Sequence, residues 1–134
     1  MGADYMQCLK AFQEAESYPG PSLIIAYAPC INHGIRKGMS KSQTEEKLAV
    51  ESGYWNNFRF DPRKAEEGKN PFTLDSKAPT GDYKDVLMGE VRSSSLRNAT
   101  PERADKLFAK NQGEAEAKYA HLQKLTKLYA PDEE

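Results

Sequence analysis

The sequence predicts an α/β fold with one buried strand, a small hairpin and several helices, of which the last is long. The apolar run Ser22-Leu-Ile-Ile-Ala-Tyr-Ala28 shows no alternation, which is typical of a parallel strand that is buried on both faces. Residues 58–60 and 72–74 alternate with a period of two, which predicts a hairpin. Thr100 and Pro101 supply a capping hydroxyl and a proline at the first position of the long helix.

The remaining helices follow from capping signals in chain order. Asp4 with Gln7 forms a capping-box pattern that opens a first helix, which the sequence Pro19-Gly20-Pro21 ends. A second capping box, Ser42-Gln-Thr-Glu45, opens a helix that we expect to end at Gly53. Asp82 is expected to cap a short helix that breaks or frays at Ser93–Ser95, and Gly113 marks a kink in the last helix.

The predicted parallel strand needs neighbours, and the sequence contains no second buried run. We therefore expect the rest of its sheet to be encoded upstream of Met1, so that this chain is a fragment.

Composition excludes several classes of protein. With 19 basic and 20 acidic residues the net charge is -1, which leaves no basic surface for nucleic acid. No apolar run approaches the roughly 20 residues that span a membrane, and the N-terminus lacks a signal peptide. Two cysteines in the chain are too few for a disulfide framework. The sequence predicts a reduced, cytoplasmic protein.

Cys30 is the candidate for chemistry because it follows the predicted strand, and ligands bind beyond the carboxyl ends of such strands. It is a nucleophile with His33 as base, a metal or cluster ligand, or a small buried hydrophobe. Cys30 and His33 have the spacing of zinc ligands, but a closed site needs about four, and only Cys8 and His121 remain. An iron–sulfur cluster also needs about four thiolates, so this chain would contribute one ligand to a cluster completed elsewhere.

Longer stretches of sequence carry a resemblance to a known family. The segment from Pro21 to Gly34, Pro-Ser-Leu-Ile-Ile-Ala-Tyr-Ala-Pro-Cys-Ile-Asn-His-Gly, closely resembles pyruvate:ferredoxin (flavodoxin) oxidoreductases, in the C-terminal part of their thiamine-diphosphate-binding domain. Further matching stretches lie at residues 13–17, 37–43, 52–55, 60–62, 68–72, 74–77, 87–88 and 90–92.

The resemblance implies an enzyme that oxidatively decarboxylates pyruvate with coenzyme A to acetyl-CoA and CO2. It also implies thiamine diphosphate with Mg²⁺, 4Fe-4S clusters, ferredoxin or flavodoxin as electron acceptor, and a homodimer when complete. Cys30 matches the fourth ligand of the cluster nearest the thiamine. Residues 1–81 are then the end of a thiamine-diphosphate-binding α/β domain, and residues 82–134 are a helical extension. Asn32 is a candidate for tuning that cluster because of its adjacency to Cys30.

The chain departs from the family pattern because it lacks the Gly-Asp-Gly diphosphate motif and any Cys-x-x-Cys pair. We therefore expect the isolated chain to bind neither cofactor and to be inactive. The alternative is a non-catalytic docking module derived from the same fold. A stand-alone thiol enzyme that uses Cys30 and His33 is a third hypothesis.

Overall fold

The computed structural model describes residues 2–131, which form a mixed α/β structure rich in helices, with one two-stranded sheet in this part of the chain. The first residue of the predicted unit 1–81 and the last three residues of the predicted unit 82–134 lie outside the described residues. The elements are α1 (Tyr5–Ser17), a 3-10 turn (Met39–Lys41), α2 (Ser42–Glu51), β1 (Phe58–Phe60), α3 (Arg63–Glu66), β2 (Phe72–Leu74), α4 (Tyr83–Gly89), α5 (Val91–Ala99) and α6 (Pro101–Leu128).

Helix α1 begins as its capping residues predict. The Asp4 carboxylate accepts a hydrogen bond from the Gln7 N–H at 3.0 Å, which satisfies one of the free amides of the first turn. No residue of α1 is buried. Its apolar face is exposed to solvent and consists of Tyr5, Met6, Leu9 and Phe12.

The prediction of a buried parallel strand at residues 22–28 is wrong for this chain by itself. These residues belong to no helix or strand, and the side chains of Leu23 and Ile25 are 84% and 72% exposed. The physical reason is that a strand is stabilised by its neighbours, because only they satisfy its backbone N–H and C=O groups.

Helix α2 begins differently from the expected capping box. Ser42 is its first helical residue, and its hydroxyl donates to the Met39 carbonyl of the preceding 3-10 turn. Glu45 is therefore free of a capping role and is buried within the fold. At the other end Gly53 has φ +78°, and its N–H donates to the Val50 carbonyl at 3.1 Å. The expected glycine stop is confirmed.

The hairpin is confirmed in position and in antiparallel direction, with Phe58 opposite Leu74 and Phe60 opposite Phe72. One face of the hairpin packs against the end of α6 through aromatic rings. The ring centroid of Tyr129 lies 5.3 Å from that of Phe60 and 6.3 Å from that of Phe72. The long helix thus returns to the hairpin at its C-terminal end.

The helix predicted from Asp82 is interrupted at Glu90 and not at the three serines, which lie inside α5. Glu90 forms an isolated antiparallel bridge with Ile35, so pairing with another segment sets the break. Helix α6 begins at Pro101 as expected and runs through Gly113 without interruption. The expected capping bond from Thr100 is not formed, because the Thr100 hydroxyl donates to the Leu96 carbonyl at 3.3 Å.

The core is thin and lies mainly among α4, α5 and α6. Its central cluster comprises Tyr83, Leu87, Ala104 and Phe108. The side chain of Val86 is fully buried beside it. Helix α4 also packs against α2, and α6 packs against β2.

Candidate functional site

Cys30 heads a tight turn at the end of the extended segment. Its side chain is a free thiol and is exposed. Its carbonyl oxygen accepts hydrogen bonds from the His33 N–H at 3.1 Å and the Gly34 N–H at 3.2 Å. Gly34 has φ +70°, and a Cβ at that position would lie 3.1 Å from a methyl group of Val91. The turn therefore requires glycine for both its conformation and its close approach to α5.

Downstream of the thiol, the turn is fixed to the junction of α4 and α5. The Arg36 N–H donates to the Gly89 carbonyl at 2.9 Å, and the Val91 N–H donates to the Gly34 carbonyl at 2.9 Å. A third bond runs from the Arg92 N–H to the His33 carbonyl at 3.1 Å. The bonds from Val91 and Arg92 use amides of the first turn of α5, which have no partner within the helix.

Upstream of the thiol, Tyr27 anchors the segment in an aromatic cluster. Its ring stacks on Trp55 at 5.3 Å between centroids and meets Tyr54 edge-on at 6.0 Å. The cluster continues from Tyr54 to Tyr83 at 5.8 Å, and the Lys118 ammonium lies 5.3 Å from the Trp55 ring centroid. The segment that carries Cys30 is thus attached to the fold on both sides, through Tyr27 before it and through residues 33–36 after it.

Two glutamates, Glu45 and Glu90, act on the groups around this segment. Glu45 is buried, and its Oε1 has no hydrogen-bond partner among the described residues. Burial, and then the negative charge of Glu90, raise the pKa of the Glu45 carboxyl above its ordinary value. Burial followed by the charge of Glu90 also raises the pKa of Tyr27. Gly89 allows this packing, since a Cβ there would collide with the Glu45 carboxylate.

The structure places the predicted site residues as follows. Asn32 is exposed on the turn beside Cys30. His33 turns toward α5, where the Nη1 of Arg92 lies 3.1 Å from its Nε2. Because guanidinium can only donate, this ring nitrogen is an acceptor occupied by Arg92 and is not directed to the Cys30 thiol. Cys8 lies half-buried in α1.

No group of three or more His, Cys, Asp or Glu side chains within residues 2–131 is arranged to hold a metal ion. Among the described residues, Cys30 is therefore not part of a complete ligand set for a metal ion. Helices long and apolar enough to cross a membrane are also absent between residues 2 and 131.

Sequence reasoning missed the anchors of the turn. Residues 33–36 of the turn bond to residues 89–92, which lie far away in the sequence. His33 and Arg92, for example, are 59 residues apart. The signals present were the matched stretches at residues 52–55 and 90–92, which contain Tyr54, Trp55 and Arg92. A local pattern does not say which distant residues meet.

Comparison with known proteins identifies the class of enzyme to which this segment is homologous. The chain is 56% identical over 125 residues to "Pyruvate:ferredoxin oxidoreductase" of Moorella thermoacetica, covering 93% of this chain and 10% of that protein. It is 52% identical over 125 residues to "Pyruvate-flavodoxin oxidoreductase" of Klebsiella pneumoniae, covering 93% of this chain and 11% of the relative. No family model matches the chain.

A more distant relative differs in its named electron acceptor. "Pyruvate dehydrogenase [NADP(+)], mitochondrial" of Euglena gracilis is 45% identical over 130 residues, which cover 93% of this chain and 7% of that protein. The chain thus matches a segment of pyruvate:ferredoxin (flavodoxin) oxidoreductases, and the resemblance seen in the sequence is confirmed. It spans about a tenth of the length of these curated relatives.

Proposed function

We propose that the chain is part of an oxidoreductase that decarboxylates pyruvate oxidatively with coenzyme A, giving acetyl-CoA and CO2. Within that enzyme, Cys30 provides one thiolate ligand of a 4Fe-4S cluster. The observation that carries this proposal is the placement of Cys30, an exposed free thiol on a turn held at both ends. A cluster ligand needs a thiolate in a fixed place and an open side toward the cluster.

The residues of the turn suit such a ligand. The amides of His33 and Gly34 are used by the Cys30 carbonyl, which fixes the backbone that carries the thiol. Asn32 is exposed on the same turn, where its side-chain amide is available to donate to a cluster sulfur. When bound, the cluster supplies one-electron transfer between thiamine diphosphate and the electron acceptor.

The exposed apolar surface is the place where the remainder of the polypeptide packs. Helix α1 meets β1 and α3 through its polar face, where Glu14 pairs with Arg59 and accepts from Lys64 at 3.0 Å, and it leaves its apolar face open. Residues 22–26 are also exposed. In the complete enzyme, neighbouring strands would cover this segment and complete the parallel sheet of a thiamine-diphosphate-binding domain, with residues 82–134 as its helical extension.

The electron acceptor is selected outside this segment. Relatives named for ferredoxin, flavodoxin and NADP(+) all match over 93% of the chain, so the segment is shared among enzymes with different acceptors. We assign ferredoxin or flavodoxin as the acceptor because the more similar relatives carry those names. Thiamine diphosphate with Mg²⁺, a homodimeric assembly and a cytoplasmic location complete the proposal.

The alternative is a non-catalytic docking module, which the open apolar face of α1 favours. The stand-alone thiol enzyme loses support, since Arg92 occupies the ring nitrogen of His33 that a base would need.

A segment exchange tests the proposal against the docking module. This chain replaces the homologous segment of the Moorella thermoacetica enzyme, and iron content and pyruvate-dependent electron transfer are measured. We expect both to be retained. Cys30→Ser in the exchanged enzyme should remove about one cluster's iron and the electron transfer, whereas Cys8→Ser should change neither. Full iron content in the Cys30→Ser enzyme would refute the assignment of Cys30.

A further inference from the structure

The contact between Arg92 and His33 is unusual for its place in the fold. Arg92 is the second residue of α5, and a positive charge at a helix N-terminus is unfavourable because the helix dipole is positive there. Its backbone N–H donates to the His33 carbonyl at 3.1 Å, and its Nη1 lies 3.1 Å from the His33 Nε2. Arg92 therefore contacts both the backbone and the ring of one residue.

The contact between Arg92 and the His33 ring leads to an expectation about which ring nitrogen carries the proton. An arginine side chain is protonated at all ordinary pH values and has donors but no acceptor. A hydrogen bond in this contact requires that Nε2 accept. We therefore expect the proton of the neutral ring on Nδ1, which spectroscopy can test.

We propose that Arg92 is a positioning residue for Cys30, acting through its backbone and side-chain contacts with His33 and thereby fixing the turn. The link runs through the backbone, since the Cys30 carbonyl accepts from the N–H groups of His33 and Gly34. A fixed His33 ring and backbone fix the Cys30 peptide and the direction of its Cα–Cβ bond. The importance of this clamp for a cluster rests on the function proposed above.

Two further charged residues, Glu90 and Arg97, lie on either side of Arg92 in the sequence. Glu90 precedes α5, and its neighbour Gly89 binds the turn through its carbonyl only. Arg97 lies one and a half turns further along α5, where its Nε is 3.9 Å from Asp105. Arg97 therefore serves as a matched control, because it is an exposed arginine on the same helix.

The test uses the 134-residue chain labelled with ¹⁵N, at a pH where histidine is neutral. Long-range ¹H–¹⁵N spectra report the tautomer of His33, and exposed His121 is the internal reference. We expect Nδ1–H for His33 in the wild type, loss of that preference in Arg92→Met, restoration in Arg92→Lys and no change in Arg97→Met. The Gly34 amide should exchange with solvent several-fold faster in Arg92→Met, while the Trp55 amide, bonded to the Ala49 carbonyl at 2.9 Å, keeps its rate.

An Nε2–H tautomer in the wild type, or a tautomer that does not respond to Arg92→Met, would overturn the clamp. In the exchanged Moorella enzyme, Arg92→Met should alter the electron paramagnetic resonance signal of the reduced clusters, and Arg97→Met should not. Failure of the cluster assignment is recognised separately, by full iron content in Cys30→Ser, and leaves the tautomer result as it stands.

Discussion

Arg59 donates two parallel hydrogen bonds to Asp75, from Nε to Oδ2 at 2.8 Å and from Nη2 to Oδ1 at 2.9 Å. The same guanidinium pairs with Glu14 of α1, and Gln7 of α1 donates to Asp75 at 3.1 Å. The first helix is therefore attached to the hairpin by charged and polar groups, since none of its side chains is buried. This attachment leaves the apolar face of α1 free for another surface.

Removal of Arg59 should detach α1 and destabilise the chain. Arg59→Ala leaves Asp75 charged and only 14% exposed without its bidentate partner. We expect a loss of about 2–3 kcal/mol in the free energy of unfolding, measured by urea denaturation. Lys47→Ala is the control, because the exposed Lys47–Glu51 pair should contribute less than about 0.5 kcal/mol. Equal effects of the two variants would contradict this account of α1.

The Asp75 pair should also make stability depend on acid pH. Burial by itself raises the pKa of Asp75, but the hydrogen bonds from Arg59 and Gln7 outweigh it and lower the pKa overall. A lowered pKa in the folded state means that the stabilisation is present above the unfolded value of about 4 and is lost as the pH falls through the folded value. The difference between wild type and Arg59→Ala should therefore narrow below about pH 4. A constant difference down to about pH 2 would argue against it.

Glu45 should be a source of instability at neutral pH. Burial and the charge of Glu90 raise its pKa, so the folded state favours the protonated form. Such a group stabilises the fold below its unfolded pKa of about 4.3 and loses that contribution as the pH rises through the folded value. Glu45→Gln should raise the unfolding free energy by about 0.5–1 kcal/mol at pH 7 and have no such benefit near pH 4.

Glu46→Gln provides the matched control on the same helix. The buried Glu46 accepts from the Ala3 N–H at 3.1 Å, so loss of its charge should not stabilise the chain. A gain in stability from Glu46→Gln equal to that from Glu45→Gln would assign the effect to net charge and not to the unpartnered carboxylate.

Two glycines should respond to alanine in opposite directions. At Gly53 the φ of +78° is strained for alanine, and the added Cβ would lie 2.7 Å from Cγ of Pro79, so we expect a loss of about 2 kcal/mol. At Gly113 a Cβ meets nothing within 4 Å inside α6, so alanine should add about 0.5–1 kcal/mol. Thermal unfolding followed by circular dichroism measures both. A stabilising Gly53→Ala would refute the left-handed end of α2.

Tyr27 should determine how firmly the segment before Cys30 is held. Tyr27→Ala removes two aromatic contacts, each contributing about 0.5–1.5 kcal/mol beyond the buried area. We expect proteinase K to cut residues 22–29 several-fold faster, with the cut sites mapped by mass spectrometry. Leu23→Ala, at a side chain 84% exposed, should leave the rate unchanged. Equal rates for wild type and Tyr27→Ala would show that another contact holds the segment.

Much of the local structure follows from the sequence because its causes are local. Asp4 and Asp82 cap helices through their own side chains, Gly53 ends α2 in a left-handed conformation, and Pro101 begins α6. The two alternating runs of the hairpin lie near one another in the sequence, so their antiparallel pairing could also be predicted. The choice of Cys30 as a site also came from local sequence, and its role as a ligand stays a prediction.

Tertiary contacts decided the rest, because those contacts join residues that are far apart in the chain. Residues 22–28 have the composition of a buried strand, yet they form none among residues 2–131, since a strand needs neighbours to satisfy its backbone. The pairing of Ile35 with Glu90 separates α4 from α5, although the sequence predicted that the helix would break at Ser93–Ser95. The same junction receives the Cys30 turn. The sequence by itself identified Cys30 as the candidate site, and the junction of α4 and α5 decided how the turn of Cys30 is held.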